Sequence, residues 1–163
     1  MKRKSKSPGR ASKDSTNTPV KVYTLDVLLT EGPITDAFAE KHPEVSRTIQ
    51  IRGDQTLRDL HGAIFEAFDR YEGHPYEFQF DEGTKVRQAR TKLDELKLTV
   101  GSIFDYLFDF GDEWWHEIKV KAIEEAAPTG EYPRIINKVG ECPPQYDYGE
   151  DDGEYHWGSD EDE

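Results

Sequence analysis

Four stretches of the chain alternate hydrophobic and polar residues with a period of two. They are YTLDVLL, VSRTIQI, YEFQF and FDYLFDF, which begin at Tyr23, Val45, Tyr76 and Phe104. A fifth stretch, WHEIKVKAI from Trp115, alternates in the same way. Such alternation is typical of β-strands that bury one face against a core. The pattern therefore predicts a mostly antiparallel sheet of about five strands.

One stretch, TLRDLHGAIFEAFDRY, has a helical period instead. Spacings of three and four residues place five apolar side chains on one helical face: Leu57, Leu60, Ile64, Phe68 and Tyr71. Thr56 and Asp59 resemble a capping box at its start. Gly62 costs about 1 kcal/mol relative to alanine inside a helix, so we expect another backbone to approach closely there. One amphipathic helix on one face of the sheet predicts an α+β fold, and a β-grasp topology is compatible with it.

The charges divide the chain into three parts. Residues 1–20 hold six lysines and arginines against one aspartate, whereas residues 147–163 hold nine acids and no lysine or arginine. We expect a disordered basic tail at 1–19, a single domain at 20–146 and a mobile acidic tail at 147–163.

The composition also narrows the functional classes. The net charge of −13 disfavours nucleic-acid binding by the body of the chain, since that binding depends on cations that neutralise phosphates. The basic start could still contact DNA or RNA, although we favour a role in solubility. No run approaches the roughly 18 apolar residues of a membrane span, and Cys142 is the only cysteine. We expect a cytoplasmic protein without disulfides.

The stretch FDYLFDFGDEWWHEIKV predicts a β-hairpin. If residues 111–113 form its loop, Phe110 lies opposite Trp114 and Phe108 opposite His116, because directly opposed residues share a face. Asp105 then pairs with Lys119 on the other face. An even-numbered loop would exchange the two faces. The hairpin therefore directs His116 towards the apolar side.

Two histidines, His61 on the helix and His116 on the strand, are thus predicted on faces that pack together. They could form a proton-transfer pair or bind a metal, or each could be a core histidine with satisfied ring nitrogens. We favour core histidines and expect neither a metal nor another cofactor, because no further ligands are evident. The candidate pocket consists of six residues: His61, Asp109, Gly111, Asp112, Trp114 and His116.

Three separate motifs carry a family resemblance. FDYLFDFGDEWWHEI is close to the pattern YDFGDxWxHEI, TLRDLHGAIFEAF with HPYEF is close to TLxxLHxxIxxAFGW…HxHEF, and YPRIINKVGECPPQYDYG is close to YPxCLxGxxxCPPEDCGG. From about Val22 to Gly149 the chain resembles the plasmid pRiA4b ORF-3-like family, whose members are often labelled TnpR-like passenger proteins of insertion elements.

The chain departs from the family pattern at possible metal ligands. Tyr76 replaces the second histidine of HxHEF, and Ile136 and Asp147 stand where two of the three family cysteines align, which leaves only Cys142. If those positions bind metal in relatives, the resemblance implies that this chain has lost it.

The resemblance implies no established activity. We therefore expect a non-enzymatic module that binds a protein or small ligand, and that could be a mobile-element accessory protein. Two alternatives stay open: a hydrolase or nuclease that uses His61 and His116 with an acid such as Asp112, and a nucleic-acid-associated protein that acts through residues 1–20.

Overall fold

The computed structural model describes residues 19–80, 84–86, 88–126 and 129–146. The strands are β1 (Val20–Glu31), β2 (Ser46–Arg52), β3 (Tyr76–Phe80), β4 (Thr84–Val86), β5 (Ile103–Phe108), β6 (Trp114–Ala126) and β7 (Arg134–Val139). The helices are α1 (Asp36–Lys41) and α2 (Leu57–Ala67), with a 3-10 turn η1 (Leu93–Leu96). Apart from Pro19, the predicted tails at both ends lie outside the described residues.

All seven strands belong to one sheet, in the order β4-β3-β5-β6-β1-β2-β7. Each of the six neighbouring pairs is antiparallel. The chain thus has an α+β fold with an antiparallel sheet. The expected count of five strands is too low, because β4 and β7 were not predicted. The β-grasp topology is not confirmed, since β1 pairs with β2 and β6 and both pairings are antiparallel.

The buried face of helix α2 matches the predicted apolar face for most of its length. Thr56 and Asp59 form the capping box, in which each side chain accepts a hydrogen bond from the other residue's amide. Leu57, Leu60, Ile64 and Phe68 are fully buried in the core.

The apolar face of the helix ends earlier than predicted. Asp69, just after the helix, has a φ of 57°, which turns the chain away from the helical path. As a result Tyr71, which the helical spacing placed in the core, is 65% exposed. The close approach predicted at Gly62 is also wrong, because a Cβ there would meet nothing within 4 Å.

The hairpin between β5 and β6 has a different register from the predicted one. Phe108 pairs with Trp114 and Tyr106 with His116, so the loop consists of the five residues 109–113. The predicted three-residue loop is therefore wrong by two residues. Because an even shift preserves the faces of both strands, His116 still lies on the buried side, as predicted.

The side chain of Asp109 explains the longer loop. Its Oδ1 accepts hydrogen bonds from the amides of Gly111 and Asp112, at 3.0 and 3.2 Å. Asp109 and Glu113 have φ values of 70° and 60°, and aspartate tolerates this left-handed region better than most residues. These local bonds stabilise a wide turn that hydrophobic alternation alone does not reveal.

The shifted register corrects two further predictions. Asp105 lies opposite Glu117 rather than Lys119, and its pKa is raised by burial and by the charge of Glu117. Phe110, predicted to point inward, lies in the loop and is 40% exposed.

Neither helix in the described part of the chain has the length and apolar composition that crossing a membrane requires.

Candidate functional site

Trp114 and Arg70 form the centre of a buried polar cluster. Trp114 begins β6 and is fully buried. The guanidinium of Arg70 lies over its ring, 4.1 Å from the ring centroid, and is further lined by the rings of Phe68 and Phe108 at 6.0 and 5.9 Å. Arg70 comes directly after the turn at Asp69, which directs its side chain back into the core. The result is a cation enclosed by aromatic faces, an arrangement that stabilises its charge.

Several polar atoms of this cluster have no hydrogen-bond partner among the described residues. Arg70 is only 6% exposed, and neither its Nη1 nor its Nη2 makes a hydrogen bond. The indole Nε1 of Trp114 and the Nε2 of His116 are also buried without a partner. Buried polar atoms are nearly always hydrogen-bonded to protein or to water, so these four atoms on three neighbouring residues make the cluster the candidate site.

His116 lies two residues beyond Trp114 on the same face of β6. Its ring is 1% exposed and packs edge-on against Phe68, with 4.9 Å between centroids. Its Nδ1 lies 3.3 Å from the backbone oxygen of Tyr106. Burial, followed by the positive charge of Arg70, lowers the pKa of His116 to about 3. The imidazole is therefore neutral at physiological pH.

A second buried arginine, Arg47, provides a contrast. It is 3% exposed and lies 5.3 Å from the Phe68 centroid. Its donors reach four backbone oxygens at 2.7 to 3.0 Å, those of Ser46, Ala67, Val139 and Gly140, and Nη2 lies 2.9 Å from the Sγ of Cys142. Arg47 is thus a structural cation with its donors satisfied, whereas Arg70 is not.

The hairpin loop closes one side of the cluster. Asp109 is buried, and besides its loop bonds its Oδ2 lies 3.6 Å from the Nε2 of His74. The same nitrogen lies 2.7 Å from the hydroxyl of Tyr146. Gly111 and Asp112 instead line a shallow cleft of about 610 Å³ between the hairpin loop and the end of β1. These two predicted pocket residues therefore hold Asp109 in place through their amides.

His61 occupies a separate environment. Its ring stacks on Tyr76, with 3.7 Å between centroids and 6° between planes, and its Nδ1 lies 2.6 Å from the hydroxyl of Tyr106. Burial and the charge of Arg58 lower the pKa of His61 to about 4. Both predicted histidines thus contact Tyr106, but the ring contacts of the described residues include none between His61 and His116. This geometry does not support a catalytic histidine pair.

No three histidine, cysteine, aspartate or glutamate side chains within the described ranges are arranged to hold a metal ion. Cys142, the cysteine retained from the family pattern, contacts Arg47 and the backbone oxygen of Ala67. Ile136, at a second such position, lies in β7, and Asp147, at the third, lies outside the described residues.

A family model described as plasmid pRiA4b ORF-3-like protein matches residues 37–156. The chain belongs to this family. The matched range includes α2, the hairpin, Arg70 and the segment around Cys142, so the cluster lies entirely within the pRiA4b ORF-3-like region.

The chain is also similar to two individual proteins. It is 29% identical over 115 residues to the uncharacterized protein y4hQ of Sinorhizobium fredii, which covers 63% of this chain and 59% of the relative. The chain therefore matches less than two thirds of that relative's length. It also resembles the crystal structure of MM3350, a protein of unknown function from Methanosarcina mazei Go1, with a TM-score of 0.62 and 26% identity over 77% of this chain and 73% of that chain. The descriptions of these relatives name no activity.

In this pRiA4b ORF-3-like protein the structure brings together Trp114 and His116, which the sequence predicted, with Arg70, which it missed. We call these three residues the Arg70 site. Asp109 lies near enough for its charge to affect the pKa of Arg70, whereas His61 contacts Tyr106, and the amides of Gly111 and Asp112 bond to Asp109. The sequence contains no signal for Arg70, because an arginine just after a helix is usually exposed.

Proposed function

We propose that the protein is a non-enzymatic binding module that holds a small anion at the Arg70 site. The observation that carries this proposal is the buried guanidinium with both terminal nitrogens unpaired. Burial lowers the pKa of Arg70 to about 10, so the side chain remains charged at neutral pH. An unpaired buried charge costs several kcal/mol, and an anion would supply the missing hydrogen bonds.

The electrostatics around Phe68 support an anionic ligand. Two guanidinium groups, from Arg47 and Arg70, lie 5.3 and 6.0 Å from this one ring centroid. Among the described residues, no carboxylate lies within ion-pair distance of either group. The charges of Asp69 and Asp109 offset part of the charge of Arg70. The two guanidinium groups in a low-dielectric interior, where electrostatic interactions are stronger, nevertheless favour a negatively charged ligand.

The chemistry of the site favours binding over catalysis. His116 is neutral and buried, and His61 is engaged with Tyr106. Cys142 is a potential nucleophile close enough to interact with Arg70, but burial raises the pKa of its thiol, which keeps it protonated and unreactive.

The test is anion binding by the full chain, measured by calorimetry and thermal shift with phosphate, sulfate, acetate and glycolate. A ligand at one hundred times its Kd stabilises the folded state by about 2.7 kcal/mol. We expect this effect in the wild type and its loss in Arg70→Met. The matched control is Arg52→Met, because Arg52 is a surface arginine paired with Asp54. No response to any of the four anions, or an unchanged response in Arg70→Met, would overturn the proposal.

The basic start of the chain supports a second role. Six lysines and arginines within residues 1–20 are suited to phosphate contacts, and such contacts fit an accessory protein of a mobile element. Residues 1–18 lie outside the described part of the structure, so this proposal depends on the sequence. A truncated chain beginning at Val20 should lose affinity for DNA, and equal binding by both chains would refute a role for the arm.

A further inference from the structure

The tautomer of His116 follows from its hydrogen bond. Nδ1 lies 3.3 Å from the backbone oxygen of Tyr106, and a carbonyl oxygen can only accept. The ring proton therefore resides on Nδ1. Because the ring is neutral, the unpartnered Nε2 carries a lone pair and is a hydrogen-bond acceptor.

The other two residues of the Arg70 site, Arg70 and Trp114, are hydrogen-bond donors. The guanidinium of Arg70 and the indole of Trp114 have donors and no acceptors. These side chains are neighbours, since Arg70 lies 4.1 Å from the Trp114 ring centroid, and Arg70 and His116 both border Phe68. The site thus presents donors from two residues and one acceptor, all buried and without partners in the part of the chain that the structure describes.

These hydrogen-bonding roles restrict which ligand can satisfy all three residues. An anion that only accepts hydrogen bonds, such as sulfate or acetate, would satisfy Arg70 and Trp114 but leave the Nε2 of His116 unpaired. A neutral or cationic donor would satisfy His116 but leave the charge of Arg70 without a counterion. An occupant with a negative oxygen and an O–H group satisfies all three residues.

We infer that the Arg70 site selects an anion that also carries a hydrogen-bond donor, as hydrogen phosphate and hydroxycarboxylates do. This inference rests on the proposed function and names the class of ligand. The selectivity arises because His116 accepts a hydrogen bond while Arg70 and Trp114 donate. A site built from arginine alone would have no acceptor.

Two matched pairs of anions test this selectivity on the unaltered protein. Phosphate keeps a proton at neutral pH and sulfate of similar shape does not, while glycolate differs from acetate by one hydroxyl group. We expect the first member of each pair to bind about tenfold more tightly or better, because an unpaired buried acceptor is costly. Equal affinities within both pairs would overturn this inference and leave the anion site intact. If none of the four anions binds, the proposed function itself fails.

Two experiments, on a His116 variant and by NMR, test whether His116 causes the selectivity. His116→Phe removes the acceptor and keeps an aromatic ring against Phe68, so the preference for phosphate over sulfate should disappear while sulfate still binds. A folded variant that retains the preference would refute the role of His116. If the variant does not fold, ¹⁵N NMR of the wild-type imidazole decides instead: we expect the Nδ1–H tautomer and a shift of the Nε2 resonance on adding phosphate. An Nε2–H tautomer, or no shift at a saturating concentration, would contradict the inference.

Discussion

The two buried arginines differ in their partners, and replacing each with methionine should therefore have unequal effects on stability. Arg47→Met removes the donors for four backbone oxygens at 2.7 to 3.0 Å and for the sulfur of Cys142. Arg70→Met removes a guanidinium whose terminal nitrogens have no partner. Methionine is unbranched and fills an irregular apolar space, so both variants keep most of the packing.

The expected magnitudes follow from these contacts. A buried oxygen left without a donor, as that of Ala67 would be, costs about 1–3 kcal/mol, and removing one partner of a buried charged network typically costs about 3–5 kcal/mol. We expect a loss of that size for Arg47→Met. At Arg70 the lost cation–π contact with Trp114 is worth about 2 kcal/mol when desolvated. Relief of the buried, unpaired charge opposes this loss, so Arg70→Met should remain within about 1 kcal/mol of the wild type or exceed it.

Urea unfolding of the two variants and the wild type, without added anions, measures both effects. The midpoints should separate while the m-values stay equal, which would show that stability changed and the denatured state did not. In thermal unfolding, Arg47→Met should melt about 10 °C below the wild type. Equal destabilisation by the two substitutions would refute the distinction between a structural and a ligand-binding arginine, because Arg70 would then depend on partners within the fold.

The remaining predictions concern the surroundings of the site. His116 stays neutral in the fold, with a pKa of about 3, and binds a proton when unfolded. The titration of His116 should therefore lower the free energy of unfolding by about 2 kcal/mol at pH 5 relative to pH 7, and His61, whose pKa is also lowered, adds to this fall. Urea unfolding at pH 7 and pH 5 should show a smaller fall in His116→Phe than in the wild type, and an equal fall would contradict the assignment. Gly32→Ala places a Cβ against the ring of Trp114, 2.7 Å from Cζ3, and should destabilise the protein by about 1–3 kcal/mol. Gly62→Ala has open space at the same atom and should stabilise it by about 1 kcal/mol; a reversed order of melting temperatures for these two variants would refute the packing around Trp114.

The features that depend on local periodicity could be predicted from the sequence. The alternation around Leu25 and Ile49 identified their buried faces, and the spacing after Thr56 identified α2 with its capping box. The side of the sheet that His116 occupies was also predicted correctly, although the register was not. A register shift of two residues leaves each side chain on the same side of the sheet. The side that a residue faces is therefore easier to predict than the residue it pairs with.

The features that depend on distant or irregular contacts could not be predicted. Strand β7 has mostly exposed residues and no alternation, because it is an edge strand that pairs only with β2 within the described sheet. Arg70 acquires its role from the turn at Asp69 and from the ring of Trp114, which lies more than 40 residues away along the chain. An arginine's sequence neighbours do not reveal whether its charge will be buried or solvated.

The contact between Arg70 and Trp114 also gives the protein an intrinsic optical reporter. Indole fluorescence responds to nearby charge, and here a cation lies 4.1 Å from the centre of a fully buried indole. An anion that draws the guanidinium towards itself would change the electric field at that indole and thus its emission. With Trp115 and Trp157 replaced by phenylalanine, occupancy of the site could be followed by emission spectroscopy without an added dye.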